Sequence, residues 1–209
     1  AGAVNGQVIK WNGTAWTPLA DNTDDAWVRG TPDSVLFTVR RLGIARGGAG
    51  NALFGTNAYT HTNLGGASCT TGTSGQNFGY ITIGGGAGNR ADSMYGTIAG
   101  GIYNKAAGRY ASILGGSNNV AGGYNSTIAG GYAGSATGYA STIGGGYQNI
   151  ADSSYSSVGG GRNNSAASQY ATIAGGYMNS VTARYGAVGG GNTNAADYYG
   201  AVSGGSRNT

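Results

Sequence analysis

The fold is decided by the stretch TIAGGYMNSVTARYGAVGGG, residues 172–191, which contains one complete repeat and the start of the next. An apolar key residue recurs every 15 residues through the C-terminal part of the chain. The key residues are Ile83, Ile98, Ile113, Ile128, Ile143, Val158, Ile173 and Val188, and Val202 follows after 14. Self-similarity at a fixed short period is typical of solenoids and repeat arrays.

Each repeat carries further fixed positions, which we count from its key residue. A Gly-Gly pair follows at +2 and +3, an Ala or Val stands at +8, and a Tyr precedes each key residue by three positions, or by four in two repeats. An Asn stands at +6 in seven of the first eight repeats, and Gly134 takes its place in the other. These residues are Asn89, Asn104, Asn119, Asn149, Asn164, Asn179 and Asn194.

A repeat of 15 residues that is this rich in Gly favours β-structure over helix. Each Gly costs a helix about 1 kcal/mol relative to Ala, whereas Ile, Val, Thr and Tyr favour strands. The sequence therefore predicts an all-β, parallel β-solenoid in which one repeat forms one coil with two short strands and two turns. We expect a hairpin and an acidic linker in residues 1–30, irregular strands and a loop in 31–80, and about nine coils in 81–209.

Strand alternation predicts where each side chain of a coil lies. The key residue and the Ala at +8 are expected inside, together with the small residue at −2 and the Gly at +2. The Asn column is expected to bond to the coils above and below it. The opposite face is the candidate interchain face, and its expected members are Tyr95, Tyr110, Tyr155, Tyr170, Tyr185, Thr97, Thr127, Thr142 and Thr172.

This candidate interchain face is flat, small and nearly uncharged. One Ile and one Ala per coil make a thin core for fifteen ordered residues. A neighbour packed on the flat face would add the missing burial, so the sequence predicts an obligate homo-oligomer. A regular Thr column could also order water as an ice-binding surface, but Ala187 interrupts it and bulky Tyr side chains cross it.

The N-terminal part contains a strong turn signal at Asn12-Gly13. It predicts a hairpin between Gln7–Trp11 and Thr14–Pro18 that brings Trp11 close to Trp16. Further along the chain, Ser34–Arg41 alternates like a strand, with Arg40 and Arg41 opposite the acidic linker, and Cys69–Gly79 is interpreted as a loop that bulges from the stack.

No catalytic or metal site emerges from the sequence. Clustered Asp21, Asp24 and Asp25 lack the EF-hand spacing and are interpreted as a solvated linker. His61 has no second ligand nearby, and Cys69 is interpreted either as a buried thiol or as a link between chains. The carboxylates of Asp92, Asp152 and Asp197 share one turn position in coils that are too far apart to act as a pair. We expect no enzyme activity, no cofactor and no metal.

The low charge, the surfaces of Tyr, Thr, Asn and Gly, and the single Cys favour an extracellular or cell-surface protein. The net charge of +4 comes from 11 scattered Lys and Arg residues, without the basic stripe typical of nucleic-acid binding. The sequence contains no 18-residue apolar run that would span a membrane. A start at Ala1 without a signal peptide favours a processed or excised segment.

Repeats such as ASTIG (residues 140–144) followed by Asn149-Ile150-Ala151 resemble the head repeats of trimeric autotransporter adhesins. They are still more similar to the Gly-Gly-Tyr/x-x-Asn-x-Ala repeats of phage tail fibres and large bacterial surface proteins. GQVIKWNGTAW (residues 6–16) also resembles a short module of such fibres. The resemblance covers residues 83–209 and, less fully, 1–20.

The resemblance implies a left-handed parallel β-roll, three rolls around a common axis, extracellular display, and a structural or adhesive role. Three alternatives stay open. The chain could be the subunit of a self-assembling extracellular filament that stacks head to tail, a phage tail-fibre shaft in a virion, or a module that binds a host-surface protein or glycan.

Overall fold

The computed structural model describes residues 62–64, 68 and 79–209, and the backbone of strands at 7–11, 16–20, 35–36, 44–46, 52–53 and 69–70. All regular structure in these residues is β. Residues 79–209 form a parallel β-solenoid in which every sequence repeat makes one coil, from Ile98 paired with Ile113 to Val188 paired with Val202. The prediction of a parallel solenoid whose coils have the length of the sequence repeat is confirmed.

Two sheets run the length of the solenoid and are parallel throughout residues 79–209, where each coil before the last contributes one strand to each sheet. The strands of the twelve-stranded sheet are Val35–Leu36, Ile44–Arg46, Thr62–Asn63, Thr82–Ile83, Thr97–Ile98, Ser112–Ile113, Thr127–Ile128, Thr142–Ile143, Ser157–Val158, Thr172–Ile173, Ala187–Val188 and Ala201–Val202. Those of the ten-stranded sheet are Ala52–Leu53, Cys69–Thr70, Arg90–Ala91, Lys105–Ala106, Val120–Ala121, Ser135–Ala136, Ile150–Ala151, Ser165–Ala166, Ser180–Val181 and Ala195–Ala196.

The key residues lie in one vertical file, one coil apart. Ile98 pairs with Ile83 on one side and with Ile113 on the other, in parallel register. From Ile83 to Val188 the key residues are at most 2% exposed. The Ala or Val at +8 forms a second buried file in the ten-stranded sheet, as in the pairing of Ala106 with Ala121. The core is therefore two narrow files that face each other inside the coil.

The small residue at −2 is also buried, and its chemistry varies. Ala111 and Ala171 are fully buried there. Where Ser replaces Ala, its hydroxyl donates to a nearby carbonyl, as Ser126 Oγ does to the Gly123 oxygen at 2.7 Å. A buried hydroxyl costs little when it is hydrogen-bonded. The position therefore accepts either Ala or Ser without a change in the backbone.

Each coil has a third line of contact that the sequence did not predict. The residues at +4 form single parallel bridges between successive coils, from Ala87↔Ile102 to Asn192↔Ser206. A coil therefore has three sides instead of the predicted two.

At least three residues in each coil have a positive φ. In one coil these are Tyr95 (φ 60°), Gly101 (φ 93°) and Tyr103 (φ 54°). A left-handed non-Gly residue costs of order 1 kcal/mol and persists only where its surroundings fix it. Here the stack supplies that support, because the Tyr95 and Tyr103 amides donate to carbonyls of the preceding coil at 3.1 and 2.9 Å.

The predicted inward direction of the +2 Gly is wrong. A Cβ added to Gly100, Gly115 or Gly175 would meet no atom within 4 Å, so the position opens outward. Alternation fails because the strand Thr97–Ile98 is only two residues long and the chain bends directly after it. The +3 Gly does not extend the outward face either, because a Cβ on Gly101 would meet the Gly116 carbonyl oxygen of the next coil at 2.2 Å.

One N-terminal prediction needs correction, and another is described only in part. The strands Gln7–Trp11 and Trp16–Ala20 pair antiparallel with Trp11 opposite Trp16, and the predicted start of the second strand at Thr14 lies outside the described residues. The segment Cys69–Gly79 does not begin as a loop, since Cys69–Thr70 is a strand that pairs parallel with Arg90–Ala91.

The predicted strand Ser34–Arg41 is described only at Val35–Leu36, which pairs antiparallel with Ile44–Arg46. Other features of the N-terminal part lie outside the described residues. They are the Asn12-Gly13 turn, Asp21, Asp24, Asp25, Arg40, Arg41 and His61.

Candidate functional site: the Thr/Gly face and the tyrosine file

The outer surface of the twelve-stranded sheet is a flat strip of small residues, which we call the Thr/Gly face. Each coil contributes the positions −1, +1 and +2, for example Thr97, Ala99 and Gly100. The −1 column is Thr82, Thr97, Ser112, Thr127, Thr142, Ser157, Thr172, Ala187 and Ala201. The +1 column is Gly84, Ala99, Leu114, Ala129, Gly144, Gly159, Ala174, Gly189 and Ser203. The +2 column is Gly85, Gly100, Gly115, Gly130, Gly145, Gly160, Gly175, Gly190 and Gly204.

The Thr/Gly face carries no charged residue along its nine coils. Its bulkiest side chain is Leu114, which is 57% exposed. The charged residues of 79–209 all lie on the other sides and corners of the coil. They are Arg90, Asp92, Lys105, Arg109, Asp152, Arg162, Arg184, Asp197 and Arg207. Within residues 79–209 the charged side chains thus lie on the other sides and corners of the solenoid, and none lies on the Thr/Gly face.

Several of the charged residues have partners on those other sides. Asp92 bonds to Arg90, and Lys105 Nζ lies 3.6 Å from Asp92 Oδ2. Arg109 and Arg184 lie over the rings of Tyr110 and Tyr185, at 5.1 and 5.8 Å from the ring centroids. These exposed contacts contribute little to stability individually.

A continuous file of nine Tyr rings runs along the corner that precedes the Thr/Gly face in every coil. It consists of Tyr80, Tyr95, Tyr110, Tyr124, Tyr139, Tyr155, Tyr170, Tyr185 and Tyr199. Most neighbours stack in parallel, as Tyr95 does on Tyr110 with 4.7 Å between centroids and 3° between planes. Where the rings stack in parallel, they cover each other's faces, and these parts of the file present ring edges to solvent.

In two coils the ring of the file comes from a different position of the repeat. Tyr124 and Tyr139 stand four positions before their key residues instead of three, and Asn125 and Ala140 occupy the left-handed corner. The rings at both junctions meet edge to face, at 71° for Tyr110 with Tyr124 and 66° for Tyr139 with Tyr155. At the last junction, a side-chain hydrogen bond with Tyr198 raises the pKa of Tyr199.

A second, shorter file lies on the third side of the coil, at +4. Tyr132 stacks on Tyr147 with 5.1 Å between centroids. The Arg162 guanidinium lies between two rings, 5.1 Å from the centroid of Tyr147 and 5.8 Å from that of Tyr177. This file was not predicted, although the regular spacing of Tyr132, Tyr147 and Tyr177 is a usable signal in the sequence.

The Asn column is a buried hydrogen-bond ladder inside the coil. Asn104 Oδ1 accepts the backbone N–H of Asn119 at 3.0 Å. Asn104 Nδ2 donates to the carbonyl of Gly100 in its own coil at 3.2 Å and to that of Gly116 in the next coil at 2.9 Å. One amide therefore fixes the Gly-Gly bend and bonds two coils together.

The ladder starts before the repeats. Ser68 Oγ accepts the Asn89 N–H at 3.1 Å and so takes the place of an Asn. Asn63 fills the core position before Ile83, where its Nδ2 donates to the Ser68 carbonyl at 2.8 Å. Neither role was predicted from the sequence, because this region does not keep the spacing of the later repeats.

The structure divides the residues of the candidate interchain face into two adjacent surfaces. Thr97, Thr127, Thr142 and Thr172 lie in one column of the Thr/Gly face, paired through the sheet in parallel register. Tyr95, Tyr110, Tyr155, Tyr170 and Tyr185 lie in the corner file beside it. The two sets border each other but do not form one flat surface, because the Tyr corner is left-handed.

The described residues include no group of three or more His, Cys, Asp or Glu side chains that could hold a metal ion. Within the same residues no helix is long and apolar enough to cross a membrane. No model of a known protein family matches the chain, and no curated protein matches it.

Proposed function

We propose that this chain is a non-enzymatic structural or adhesive fibre element, a rod displayed on or beyond the cell surface. In this proposal three copies pack through their Thr/Gly faces. The observation that carries it is the uncharged strip along nine coils, beside sides that hold every charged residue of 79–209.

The strip suits a second copy of this chain better than a charged partner. A face without charge has nothing to pair with an acidic or basic surface, whereas two such faces meet without burying an unpaired charge. The +2 Gly column opens outward and adds no side chain, so another backbone can approach closely there. The Tyr file at the border adds aromatic contact area of the kind enriched at protein interfaces.

The resemblance to adhesin heads and tail fibres adds three finer features to the proposal. The coils wind left-handed, three rolls share one axis, and the N-terminal strands form a hairpin module. The antiparallel pairing of Gln7–Trp11 with Trp16–Ala20 supports the hairpin. Extracellular display rests on the resemblance and on the low charge and single Cys of the sequence.

Placing lysines on the Thr/Gly face tests the proposal. We expect the purified chain to sediment at about three times its own mass, and Thr142→Lys with Thr172→Lys to reduce this to a monomer that keeps its β circular dichroism. Both Thr residues are exposed in the single chain, so the coil itself tolerates Lys. Ile150→Lys with Ser165→Lys places the same charges on the ten-stranded sheet and is expected to leave the assembly intact.

A folded wild-type chain that stays monomeric at micromolar concentration would overturn the trimer. Electron microscopy of the same samples separates the remaining alternatives. Short uniform rods support the fibre element, and long filaments support a subunit that adds head to tail. Isolated particles that bind glycan or host-surface protein support a binding module.

A further inference from the structure

The Asn ladder is interrupted at one coil, and the interruption leaves buried polar groups without their usual partners. Position +6 of that coil is Gly134, which is buried and has no amide side chain. On the preceding side the ladder still connects, because the Gly134 N–H donates to Asn119 Oδ1 at 2.8 Å. On the following side the connection is missing.

Three backbone groups face the missing amide. The N–H of Asn149, a residue that is 1% exposed, donates to no acceptor within residues 79–209. In the other coils the corresponding N–H is accepted, as that of Asn164 is by Asn149 Oδ1 at 2.9 Å. The carbonyl of Gly130 accepts no hydrogen bond in the same residues, and that of Gly146 accepts only the Tyr132 N–H, at 2.8 Å. By the ladder's pattern, an amide at 134 would donate to both carbonyls and accept from Asn149.

The space beside Gly134 is large enough for more than hydrogen. A Cβ there would lie 3.6 and 3.8 Å from two carbon atoms of Ile143, which is ordinary contact, and 3.1 Å from Asn119 Oδ1, which is tight and requires that oxygen to shift by a few tenths of an ångström. Buried polar groups without a protein partner are costly, and proteins usually satisfy them with internal water that makes about three hydrogen bonds. The site offers one donor and two acceptors, and the two hydrogens and the oxygen of a water molecule complement that set.

We propose that the side-chain position of Gly134 is an internal water site. The water donates to the Gly130 and Gly146 carbonyls, accepts the Asn149 N–H, and carries the ladder across this coil. In the Asn ladder from Asn89 to Asn194, the coil around Gly134 is then the one place where an exchangeable water, rather than an Asn side chain, links two coils.

Crystal structures of the full chain and amide hydrogen exchange test the proposal together. We expect a water peak within hydrogen-bond distance of the Asn149 nitrogen and at least one of the two carbonyl oxygens. Because its partner exchanges, the Asn149 amide is expected to be about five to ten times less protected than that of Asn164. Gly134→Asn is expected to displace the water, equalise the two amides and raise the melting temperature.

Two matched variants complete the test. Gly134→Ala fills part of the space without supplying an amide and is expected to leave the Asn149 amide weakly protected. Asn179→Gly removes another rung and is expected to create a second water site and to lower the melting temperature. Absence of density at the site, equal protection of Asn149 and Asn164 in the wild type, or a lower melting temperature for Gly134→Asn would each overturn the proposal.

Discussion

Gly100 and Gly101 are adjacent in the chain, but Gly100 has open space beside its α-carbon and Gly101 is packed against the next coil. A Cβ on Gly101 would lie 2.2 Å from the carbonyl oxygen of Gly116 in the next coil, whereas a Cβ on Gly100 would meet no atom within 4 Å. Only Gly101 has a left-handed backbone, at φ 93°. The coil itself therefore requires glycine at position 101, whereas it leaves room for a side chain at position 100.

We predict that Gly101→Ala costs about 3 kcal/mol or more of unfolding free energy, because it combines left-handed strain with overlap on the next coil. Gly100→Ala is expected to change it by less than about 1 kcal/mol. Urea titrations of both variants in the Thr142→Lys, Thr172→Lys background keep assembly out of the comparison. Equal losses would contradict the outward direction of Gly100.

The core file gives a second prediction. Ile143→Asp buries an unpaired carboxylate between two coils and is expected to cost more than about 4 kcal/mol. Arg162→Ala removes only an exposed contact with two Tyr rings and is expected to cost about 0.5–1 kcal/mol. Thermal unfolding followed by circular dichroism measures both, and similar shifts in melting temperature would refute the assignment of faces.

The Asn ladder gives a third prediction. Asn164→Asp keeps the shape but replaces two donated hydrogen bonds, to Gly160 and Gly176, by a carboxylate that faces two carbonyls. We expect a loss of about 3 kcal/mol or more at neutral pH, and a smaller loss in acid, where the protonated carboxyl again donates. Urea titrations at the two pH values measure both losses.

Asn192→Ala is the matched control for the ladder. Asn192 is exposed at +4, where Ala87 stands in another coil, so Ala fits the backbone. The free energy of unfolding of Asn192→Ala is expected to stay within about 0.5 kcal/mol of the wild-type value. A comparable loss from both variants would show that burial of the Asn164 amide does not matter.

The tyrosine file gives a fourth prediction. Tyr170 stacks on Tyr155 and Tyr185, each at 5.0 Å between centroids. Tyr170→Asn keeps the left-handed corner, since Asn125 adopts it at φ 56°, and is expected to cost about 1 kcal/mol through the lost stacking. Tyr103→Asn serves as the comparison, because Tyr103 also has a left-handed backbone but stacks on no ring among residues 79–209. Tyr103→Asn is expected to lose clearly less stability than Tyr170→Asn when the thermal unfolding of both is followed by circular dichroism.

The repeat made the coil predictable but not its bends. A fixed period with an invariant β-branched position identifies one file of buried residues, because only stacked coils place Ile98, Ile113 and Ile128 in identical surroundings. Strict alternation then failed at Gly100, because such short strands leave most of each coil in turns, where side-chain direction follows backbone dihedrals that composition does not reveal.

The candidate site was predictable in part for the same reason. The lack of charge beside Thr97 and Thr142 is visible in the sequence once the period is known. The left-handed corner that separates Tyr95 from Thr97 is not, since Tyr is an unusual residue for that conformation. The internal break at Gly134 was visible as an exception, but its consequence for the Asn149 amide required the hydrogen-bond geometry.

The last repeat shows what this architecture tolerates. Val202 follows Val188 at a shorter spacing than in the other repeats, yet Ala187 still pairs with Ala201 and Val188 with Val202, so the turn before them absorbs the deletion. Each coil meets only the coils directly before and after it. The length of the solenoid is therefore set by the number of repeats. Adding or removing one whole repeat would lengthen or shorten it by about 4.8 Å without a new kind of contact.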